Sequence, residues 1–444
     1  MRIAVIGAGI IGVTTAYELS AEGHEVTVFE RRGSISAETS FANAGLVAPG
    51  YVTPWAAPGM PAKVVRHLLS RHAPVRVHAN LDLHWAWKWW RACRTRTYQA
   101  NRLRMQRLAF FSRERLHEIT ARLRMEYEHR QGYLVLLRSR KDLAMAQPGL
   151  STLTALGTRF DVIDAAQCRS IEPALASDTP LHAGIHLPDD EVGNCRQFAL
   201  LLRKEAEQLG ARFLLGTTVM RIEPGARPRV IVAPRQGEES VVSTRTHSEP
   251  GTWADTLPLL REPANETFDA VVVCAALGAT ALLRPLGLRL PLQAVYGYSV
   301  TAPLRHHDNP EDQGPRSALM DEHFKVAISR LGGRVRVAGS AELGGSADRH
   351  HPKALATLYK VLGDWFPGAV QTRQGQEWKG ARPMLPDGPP VLGRSGLEGV
   401  WLNLGHGSSG WALACGSARL LAEAIEGRTP TIDPEGLGIE RLRD

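Results

Sequence analysis

The start of the chain combines short apolar runs with a glycine-rich turn in a pattern that predicts a strand, a helix and a second strand. Residues 3–6 form an apolar run of strand type, residues 13–21 have the composition of a helix, and residues 24–29 have that of a strand. The turn Gly7-Ala-Gly9-Ile-Ile-Gly12 joins the first strand to the helix, and Glu30 follows the second strand. This order predicts the first half of a dinucleotide-binding unit.

The three glycines of this turn have separate physical roles. Gly7 permits a tight turn, Gly9 lets the backbone approach a pyrophosphate, and Gly12 lets the helix pack close to the strand. The helix start presents unpaired N–H groups and the positive end of the helix dipole to the phosphates. A carboxylate at Glu30 accepts hydrogen bonds from ribose hydroxyls and disfavours a 2′-phosphate, so the turn predicts NAD or FAD rather than NADP.

Later apolar runs predict the rest of the framework. Residues 196–209 repeat apolar positions at helical spacing, and residues 212–219 have the composition of a strand. The run 270–274 is apolar throughout and leads to a turn at Gly278, which suits a parallel sheet covered on both faces. Strands rich in β-branched residues recur at 290–300 and 325–338 and suit an antiparallel sheet. The sequence therefore predicts an α/β fold, α+β overall.

Composition narrows the class of protein. The chain has 444 residues, 43% of them hydrophobic and 22% charged, which is ordinary for a globular protein of two or three domains. Its five cysteines are dispersed and form no C-x-x-C pair, so neither a disulfide framework nor a metal site is expected. No apolar run reaches the roughly 20 residues that span a bilayer. The glycine spacing marks the N-terminal apolar run as structure rather than a signal peptide, so a cytoplasmic location is expected.

Charge and tryptophan are concentrated in one part of the chain. The formal net charge is +8, and arginines are frequent between residues 91 and 130. Four tryptophans, at 85, 87, 89 and 90, lie beside Lys88 and Arg91. This cluster predicts either a membrane-surface patch or tryptophans buried in a helix interface. Nucleic-acid binding requires a clustered basic face with interleaved aromatics. The arginines are instead typical of solvated helix faces, so no nucleic-acid partner is expected.

Seven segments of the chain together carry a resemblance to a known family. They are residues 2–30, 38–59, 131–132, 278, 296–299, 380–393 and 403–416. In these segments the chain resembles the D-amino acid oxidase-type FAD-dependent oxidoreductases and, more narrowly, the small subunit of bacterial D-amino acid dehydrogenases. The resemblance implies FAD as cofactor and a Rossmann-type FAD-binding domain interleaved with an antiparallel-sheet substrate domain.

The resemblance also implies domain boundaries. The FAD-binding domain is expected to comprise residues 1–90, 158–285 and 385–444, and the substrate domain residues 91–157 and 286–384. Residues 224–267 are longer and more polar than the family suggests and carry several prolines. They predict an exposed β-meander insertion within the FAD-binding domain, with a partner-docking element as the alternative.

The activity implied is oxidative deamination of a D-amino acid such as D-alanine, by hydride transfer to the flavin, to a 2-oxo acid and ammonia. Electrons would pass to a quinone or another respiratory-chain acceptor, which implies peripheral contact with the inner face of the cell membrane. The alternatives are an oxygen-using D-amino acid, glycine or sarcosine oxidase, an RNA-modifying flavoprotein and a non-catalytic flavin-binding protein.

Three residues are candidates for substrate contact. Arg382 stands in an Arg-Pro context like that of the family's carboxylate-binding arginine, and guanidinium matches a carboxylate with two parallel hydrogen bonds. Tyr298 is expected to offer its hydroxyl to the substrate, or else to be a core aromatic. His406 is expected to contact substrate or flavin, or to cap its turn. Related enzymes carry a tyrosine near Phe324, which cannot donate a hydrogen bond, and Lys325 is expected at the surface.

Cofactor contacts are predicted from the glycine turn and from the resemblance. The resemblance places the loop around residues 39–46 beside the ribityl chain and the flavin ring, and Val219 near the adenine. A glycine-rich turn at 403–411 precedes a helix, and its N–H groups are expected to face the part of the flavin that gains negative charge on reduction. The predicted cofactor-binding residues are Ile6, Gly7, Ala8, Gly9, Ile10, Ile11, Gly12, Glu30, Arg31, Thr39, Ser40, Asn43, Ala44, Gly45, Leu46, Val219, Gly278, Gly405, His406, Gly407, Ser408, Ser409, Gly410 and Trp411.

Overall fold

The computed structural model describes residues 1–67, 73–78, 80–234, 264–305 and 313–442. Its α-helices are α1 (Ile10–Ala21), α2 (Met60–His67), α3 (Leu83–Ala92), α4 (Thr95–Leu123), α5 (Arg140–Ala155), α6 (Ala165–Ile171), α7 (Cys195–Gln208), α8 (Ala279–Leu283), α9 (Pro352–Trp365) and α10 (Gly410–Glu426). Its strands are β1 (Arg2–Ile6), β2 (Glu25–Glu30), β3 (Leu46–Val47), β4 (Val75–Val77), β5 (Arg130–Leu137), β6 (Asp161–Asp164), β7 (Ala183–Val192), β8 (Arg212–Leu215), β9 (Thr217–Glu223), β10 (Arg229–Pro234), β11 (Ala264–Thr267), β12 (Ala270–Val273), β13 (Gln293–Pro303), β14 (Ala318–Asp321), β15 (Val326–Leu331), β16 (Arg334–Leu343), β17 (Gln376–Met384), β18 (Val391–Arg394) and β19 (Val400–Leu404).

A six-stranded sheet contains the predicted nucleotide-binding unit. Its strand order is β18-β19-β12-β1-β2-β8, and β1 pairs in parallel with both β2 and β12. The central strands are apolar on both faces because both faces are covered. Residues of α1, α7 and α10 pack on one face. Residues of α8 and of the small sheet β9-β10-β11 pack on the other. The strand–turn–helix–strand prediction for the N-terminus and the mixed α/β fold are confirmed.

A larger, mostly antiparallel sheet forms the second layer of the molecule. Its order is β17-β13-β16-β15-β14-β5-β7-β3, with β4 beside β16 and β6 beside β7. Helix α9 packs on one face of this sheet through an apolar cluster that includes Leu358, Trp365 and Ile328. The opposite face meets the loop after β2, where Ser329 Oγ donates to the Ala44 carbonyl at 2.7 Å. The candidate site lies where this face meets the six-stranded sheet.

The strand pairing bears on the expected division of the chain. Strand β7, which the expected boundary assigns to the FAD-binding domain, pairs with β5 in the large sheet. The boundary at residue 158 stays a prediction, since pairing alone does not define a domain. In the expected insertion, β10 and β11 extend β9 as an antiparallel sheet, and residues 235–263 lie outside the described residues.

Candidate active site

Two glycines of the N-terminal turn are required by the fold itself. Gly7 has a φ of +102°, in the left-handed region, and its N–H donates to the Phe29 carbonyl at 2.8 Å. A Cβ on Gly12 would lie 1.8 Å from the Gly7 carbonyl oxygen. A side chain at Gly12 would therefore push α1 away from the turn, and one at Gly7 would be strained and would meet the Cys274 carbonyl oxygen at 2.8 Å.

Gly9 differs from its two neighbours, because the protein leaves room for a side chain there. Its φ of −67° and ψ of 179° suit any residue, and a Cβ would meet nothing closer than Ser40 Oγ at 3.5 Å. The N-cap residue of α1 is Gly9 itself, which has no side chain to cap the helix, and Ser40 Oγ accepts from the Ile10 N–H at 3.1 Å. A glycine turn at a helix start is what a pyrophosphate requires, so this part of the site fits FAD.

Glu30 is fixed beside the same turn by backbone groups. Its two carboxylate oxygens accept hydrogen bonds from the N–H groups of Ala8 and Arg32, both at 2.8 Å. Burial raises the pKa of Glu30 despite these hydrogen bonds. The neighbouring Arg31 pairs with Glu38. The carboxylate is thus held at the end of β2, where a ribose attached to the pyrophosphate would lie.

The loop of residues 39–46 connects the glycine turn to the large sheet. It is held at both ends by hydrogen bonds from side chains, so its path depends on both sheets at once. The bonds join Ile10 N to Ser40 Oγ at 3.1 Å, Thr39 Oγ1 to the Ala381 carbonyl at 2.6 Å, Gly45 N to Asn43 Oδ1 at 2.9 Å, Arg336 Nη1 to the Asn43 carbonyl at 2.9 Å and Trp411 Nε1 to the Gly45 carbonyl at 3.2 Å.

A second glycine turn leads from β19 into α10. Gly405 and Gly407 have φ values of +80° and +58°, and a Cβ on them would meet Leu385 at 2.5 Å and Met384 at 2.6 Å. The N-cap Ser409 makes no side-chain hydrogen bond to the helix. The start of α10 is therefore a helix terminus that its N-cap side chain does not cap, with N–H groups available to a cofactor.

His406 lies within this second turn as a neutral imidazole. The side chain is 3% exposed, and burial lowers its pKa to about 3. The Ser417 hydroxyl lies 3.1 Å from both His406 Nε2 and the Ala414 carbonyl, so a hydrogen bond joins the imidazole to α10. A group that stays neutral at physiological pH binds and orients but does not exchange protons.

Arg382 is a half-buried cation that no carboxylate of the described residues neutralises. Its Nη1 donates to the Ser340 carbonyl at 2.9 Å. Burial lowers its pKa to about 10, and no acidic side chain contributes to that shift. Among the described residues no carboxylate lies within ion-pair distance of it. Gly297 makes room for the guanidinium, since a Cβ there would lie 2.2 Å from Arg382 Nη2. Desolvating an unpaired charge is unfavourable, so this arrangement indicates an anion-binding site.

Tyr298 lies on the other face of the large sheet. It packs with Val300 against α9, whereas its neighbour Gly297 faces Arg382. Its hydroxyl donates to Glu342 and accepts from the N–H of His351 at 3.1 Å. The structure therefore does not bring Tyr298 together with Arg382.

Two other residues from the sequence analysis also lie away from Arg382. Phe324 packs against the α9 cluster, with the Arg138 guanidinium 4.9 Å from its ring centroid. The exposed Lys325 side chain pairs with Glu322.

The remaining predicted cofactor residues are distributed around the six-stranded sheet. Val219 on β9 packs with Ile6 and Phe29. Gly278 lies in a short 3-10 turn after β12. Ile11 belongs to α1, and Ser408 to the 3-10 turn before α10. Their contacts with a cofactor stay predictions.

Sequence reasoning missed Gly297 and Ser340. An isolated glycine inside a strand pattern signals the close approach of another group, and that signal was present in Tyr296-Gly-Tyr298. Ser340 offers no comparable signal, because its role depends on strand pairing that the local sequence does not specify.

Two glycine turns that lead into helices, a carboxylate beside the first of them and an arginine for which the described residues provide no counter-ion are features of a nucleotide-cofactor enzyme. The chain belongs to the FAD dependent oxidoreductase (DAO) family, whose model matches residues 2–424. FAD is thus the cofactor, and its contacts with the two turns stay predictions.

Relatives with known names resemble the chain along its whole length. A D-amino acid dehydrogenase of Rhizorhabdus wittichii is 41% identical over 99% of this chain and 100% of its own length. One of Cereibacter sphaeroides is 42% identical over 99% of this chain and 95% of its own. Among solved structures, glycine oxidase from Geobacillus kaustophilus has a TM-score of 0.73 at 18% identity and covers 99% of both chains. L-Proline dehydrogenase from P. horikoshii has a TM-score of 0.71 at 17% identity, covering 99% of this chain and 97% of its own. These two structures are similar in fold.

Proposed function

We propose that this protein is an FAD-dependent D-amino acid dehydrogenase, which oxidises a D-amino acid such as D-alanine to a 2-oxo acid and ammonia. The observation that carries the proposal is Arg382, a half-buried cation for which the described residues provide no counter-ion, beside the loop that links both sheets. A substrate carboxylate supplies the missing negative charge. Relatives about 40% identical over almost the full chain are named D-amino acid dehydrogenase, which supports the substrate class.

The residues of the chain hold the substrate and the cofactor rather than transfer protons. Arg382 binds the carboxylate, and Gly297 leaves space for the guanidinium. When bound, FAD accepts a hydride from the substrate α-carbon. The uncapped start of α10 offers N–H groups that stabilise the negative charge which develops on reduction. His406 keeps its turn in place as a neutral group. The imino acid that forms hydrolyses in water to the 2-oxo acid and ammonia. Because the flavin carries out the oxidation, the main contribution of the protein to the rate is to position the substrate α-carbon against it.

Anaerobic addition of D-alanine to the purified protein should bleach the visible absorption bands of the flavin, whereas L-alanine should leave them unchanged. The physical reason is that a carboxylate fixed by Arg382 presents the α-hydrogen of one enantiomer to the cofactor. Absorption spectra before and after each addition provide the measurement. Bleaching by glycine or sarcosine alone would move the assignment to an amine oxidase of that substrate class, and flavin bands that persist with every amino acid would refute the proposal.

The proposal also includes a membrane quinone as electron acceptor, and the surface of α3 supports this part of it. Trp85 and Trp89 stack at 6.2 Å and pack inwards, with Trp85 Nε1 donating to the Met384 carbonyl at 3.1 Å. Leu83, Trp87 and Trp90 face outwards with 82%, 48% and 57% of their surface exposed. The cluster thus divides into a packed pair and an outward pair, and only the outward pair is available for the predicted membrane-surface patch.

The exposed face of α3 has the composition of a membrane-surface helix. Arg91 lies 4.7 Å from the ring centroid of Trp87, and Arg94 and Arg96 are exposed close by. Among the described residues no helix is both long and apolar enough to cross a bilayer. Apolar aromatics bordered by arginines favour an anionic lipid surface. We propose that this face rests on the membrane and that a quinone dissolved there accepts the electrons.

Replacing both Trp87 and Trp90 with serine should abolish co-sedimentation with phosphatidylglycerol vesicles while D-alanine oxidation by a water-soluble dye continues. The double variant removes exposed apolar surface and leaves the packed Trp85 and Trp89 in place. Met220→Ser, at a residue that is 62% exposed on β9, is the matched control and should bind vesicles as the wild type does. Unchanged sedimentation of the double variant would contradict the membrane assignment.

A further inference from the structure

Ser340 occupies a backbone conformation that serine rarely adopts. The register between β13 and β16 shifts so that Tyr296 pairs with Glu342 and Tyr298 with Gly339. Ser340 and Ala341 therefore both lie opposite Gly297, and this two-against-one pairing is a β-bulge. Ser340 has a φ of +62°, the left-handed conformation for which glycine is the usual residue in such a bulge. A serine there is unfavourable for the backbone, so its side chain calls for an explanation.

The carbonyl and the hydroxyl of Ser340 are the two polar groups of this residue that bear on the binding site at Arg382. The bulge directs the Ser340 carbonyl towards the guanidinium, 2.9 Å from Nη1. The hydroxyl oxygen is buried and has no hydrogen-bond partner in the described part of the chain, which is a costly state for a buried polar group. Covalent geometry keeps this oxygen within about 5 Å of its own carbonyl oxygen, and that carbonyl contacts the Arg382 guanidinium. The unpartnered hydroxyl thus belongs to the surroundings of Arg382.

We propose that Ser340 is a substrate-binding residue: its carbonyl positions Arg382, and its hydroxyl donates a hydrogen bond to the carboxylate that Arg382 holds. The inference rests on the proposed function only in taking Arg382 as the carboxylate site. It accounts for the strained backbone and for the unpartnered hydroxyl together. A glycine would serve the bulge alone, whereas a serine serves the bulge and the ligand.

The test uses the FAD-loaded protein and propanoate, a carboxylate without an amine, whose binding is followed by the perturbation of the flavin absorption spectrum. Ser340→Gly keeps the bulge and its carbonyl but removes the hydroxyl, and Ser340→Ala also removes only the hydroxyl. Both should raise the propanoate dissociation constant about tenfold, as loss of a hydrogen bond to a charged group does. Flavin content should stay unchanged, and for Ser340→Gly the melting temperature should not fall. Arg124→Gly relieves a similar φ of +50° at the exposed end of α4 and should leave propanoate binding unchanged.

The outcomes separate this inference from the proposed function. If D-alanine fails to reduce the flavin but propanoate binding depends on Ser340 as described, the proposed function falls and the Ser340 assignment stands. Equal dissociation constants for wild type and both variants would overturn the Ser340 assignment. So would weakening in Ser340→Gly without weakening in Ser340→Ala, because backbone flexibility would then be the cause. Loss of flavin from both variants, or a wild type that does not respond to propanoate, would overturn it too.

Discussion

Replacing Arg382 with glutamine should raise the KM for D-alanine at least about a hundredfold while the purified protein keeps its flavin. Removing one partner of a buried ion pair costs about 3–5 kcal/mol, and each 1.4 kcal/mol corresponds to about a factor of ten. In this protein the partner is the substrate, so the loss falls on binding. The melting temperature of the substrate-free protein should not decrease, because Arg382 has no counter-ion in the described residues and its burial is unfavourable.

Arg115 provides the matched control for this prediction. Its guanidinium binds both carboxylate oxygens of Glu18, at 2.8 and 2.9 Å, and the Glu18 side chain is fully buried. Arg115→Gln leaves that carboxylate without its main partner, so the protein should melt at a lower temperature with an unchanged KM. The two variants thus compare an arginine that forms its ion pair within the protein with one that forms its ion pair only when the substrate binds. An Arg382→Gln variant with normal KM would refute the carboxylate site.

Gly297 allows the same site to be tested without removing the charge. Gly297→Ala would put a Cβ 2.2 Å from Arg382 Nη2, so the guanidinium must move and KM should rise. Gly333→Ala adds the same methyl group to open space in the turn between β15 and β16 and should change nothing. If KM rose equally in both variants, the cause would be a general disturbance of the large sheet rather than displacement of Arg382.

The parts of the site that the sequence predicts are those whose determinants are close together along the chain. Gly7, Gly12 and Glu30 belong to one strand–turn–helix–strand unit, and their spacing specifies their geometry. Arg382 was reached only through resemblance, because its surroundings come from three strands that are distant in sequence. The surroundings of Ser340 arise from a shifted register between β13 and β16, which no local pattern reveals.

Tyr298 illustrates a related limit. The alternation of a strand separates Tyr298 from Gly297, but it does not say which face meets the cofactor. Both faces of β13 are buried here, one against α9 and the other towards Arg382, so burial offers no clue. On α3, by contrast, the outer face is exposed, and helical spacing alone divides the four tryptophans into a packed pair and an outward pair.

Gly9→Val should yield a folded protein without flavin, whereas Gly12→Ala should impair folding itself. The protein accommodates a Cβ at Gly9, with Ser40 Oγ at 3.5 Å as its nearest neighbour, but a Cβ at Gly12 would lie 1.8 Å from a backbone oxygen of Gly7. A Cβ at position 9 therefore has room within the protein, and we expect the side chain to compete with the pyrophosphate, whereas one at position 12 competes with the packing of α1 against the turn.

The ratio of flavin to protein absorbance, with circular dichroism and thermal melting of the same samples, distinguishes the two glycines. Gly149→Ala is the control, because Gly149 also lies within a helix and faces open space. That variant should keep its flavin and melt no lower, since alanine favours helix more than glycine does. If Gly9→Val carried a full complement of flavin, the pyrophosphate could not lie against this turn. If Gly9→Val failed to fold, the space over α1 would belong to the protein rather than to the cofactor.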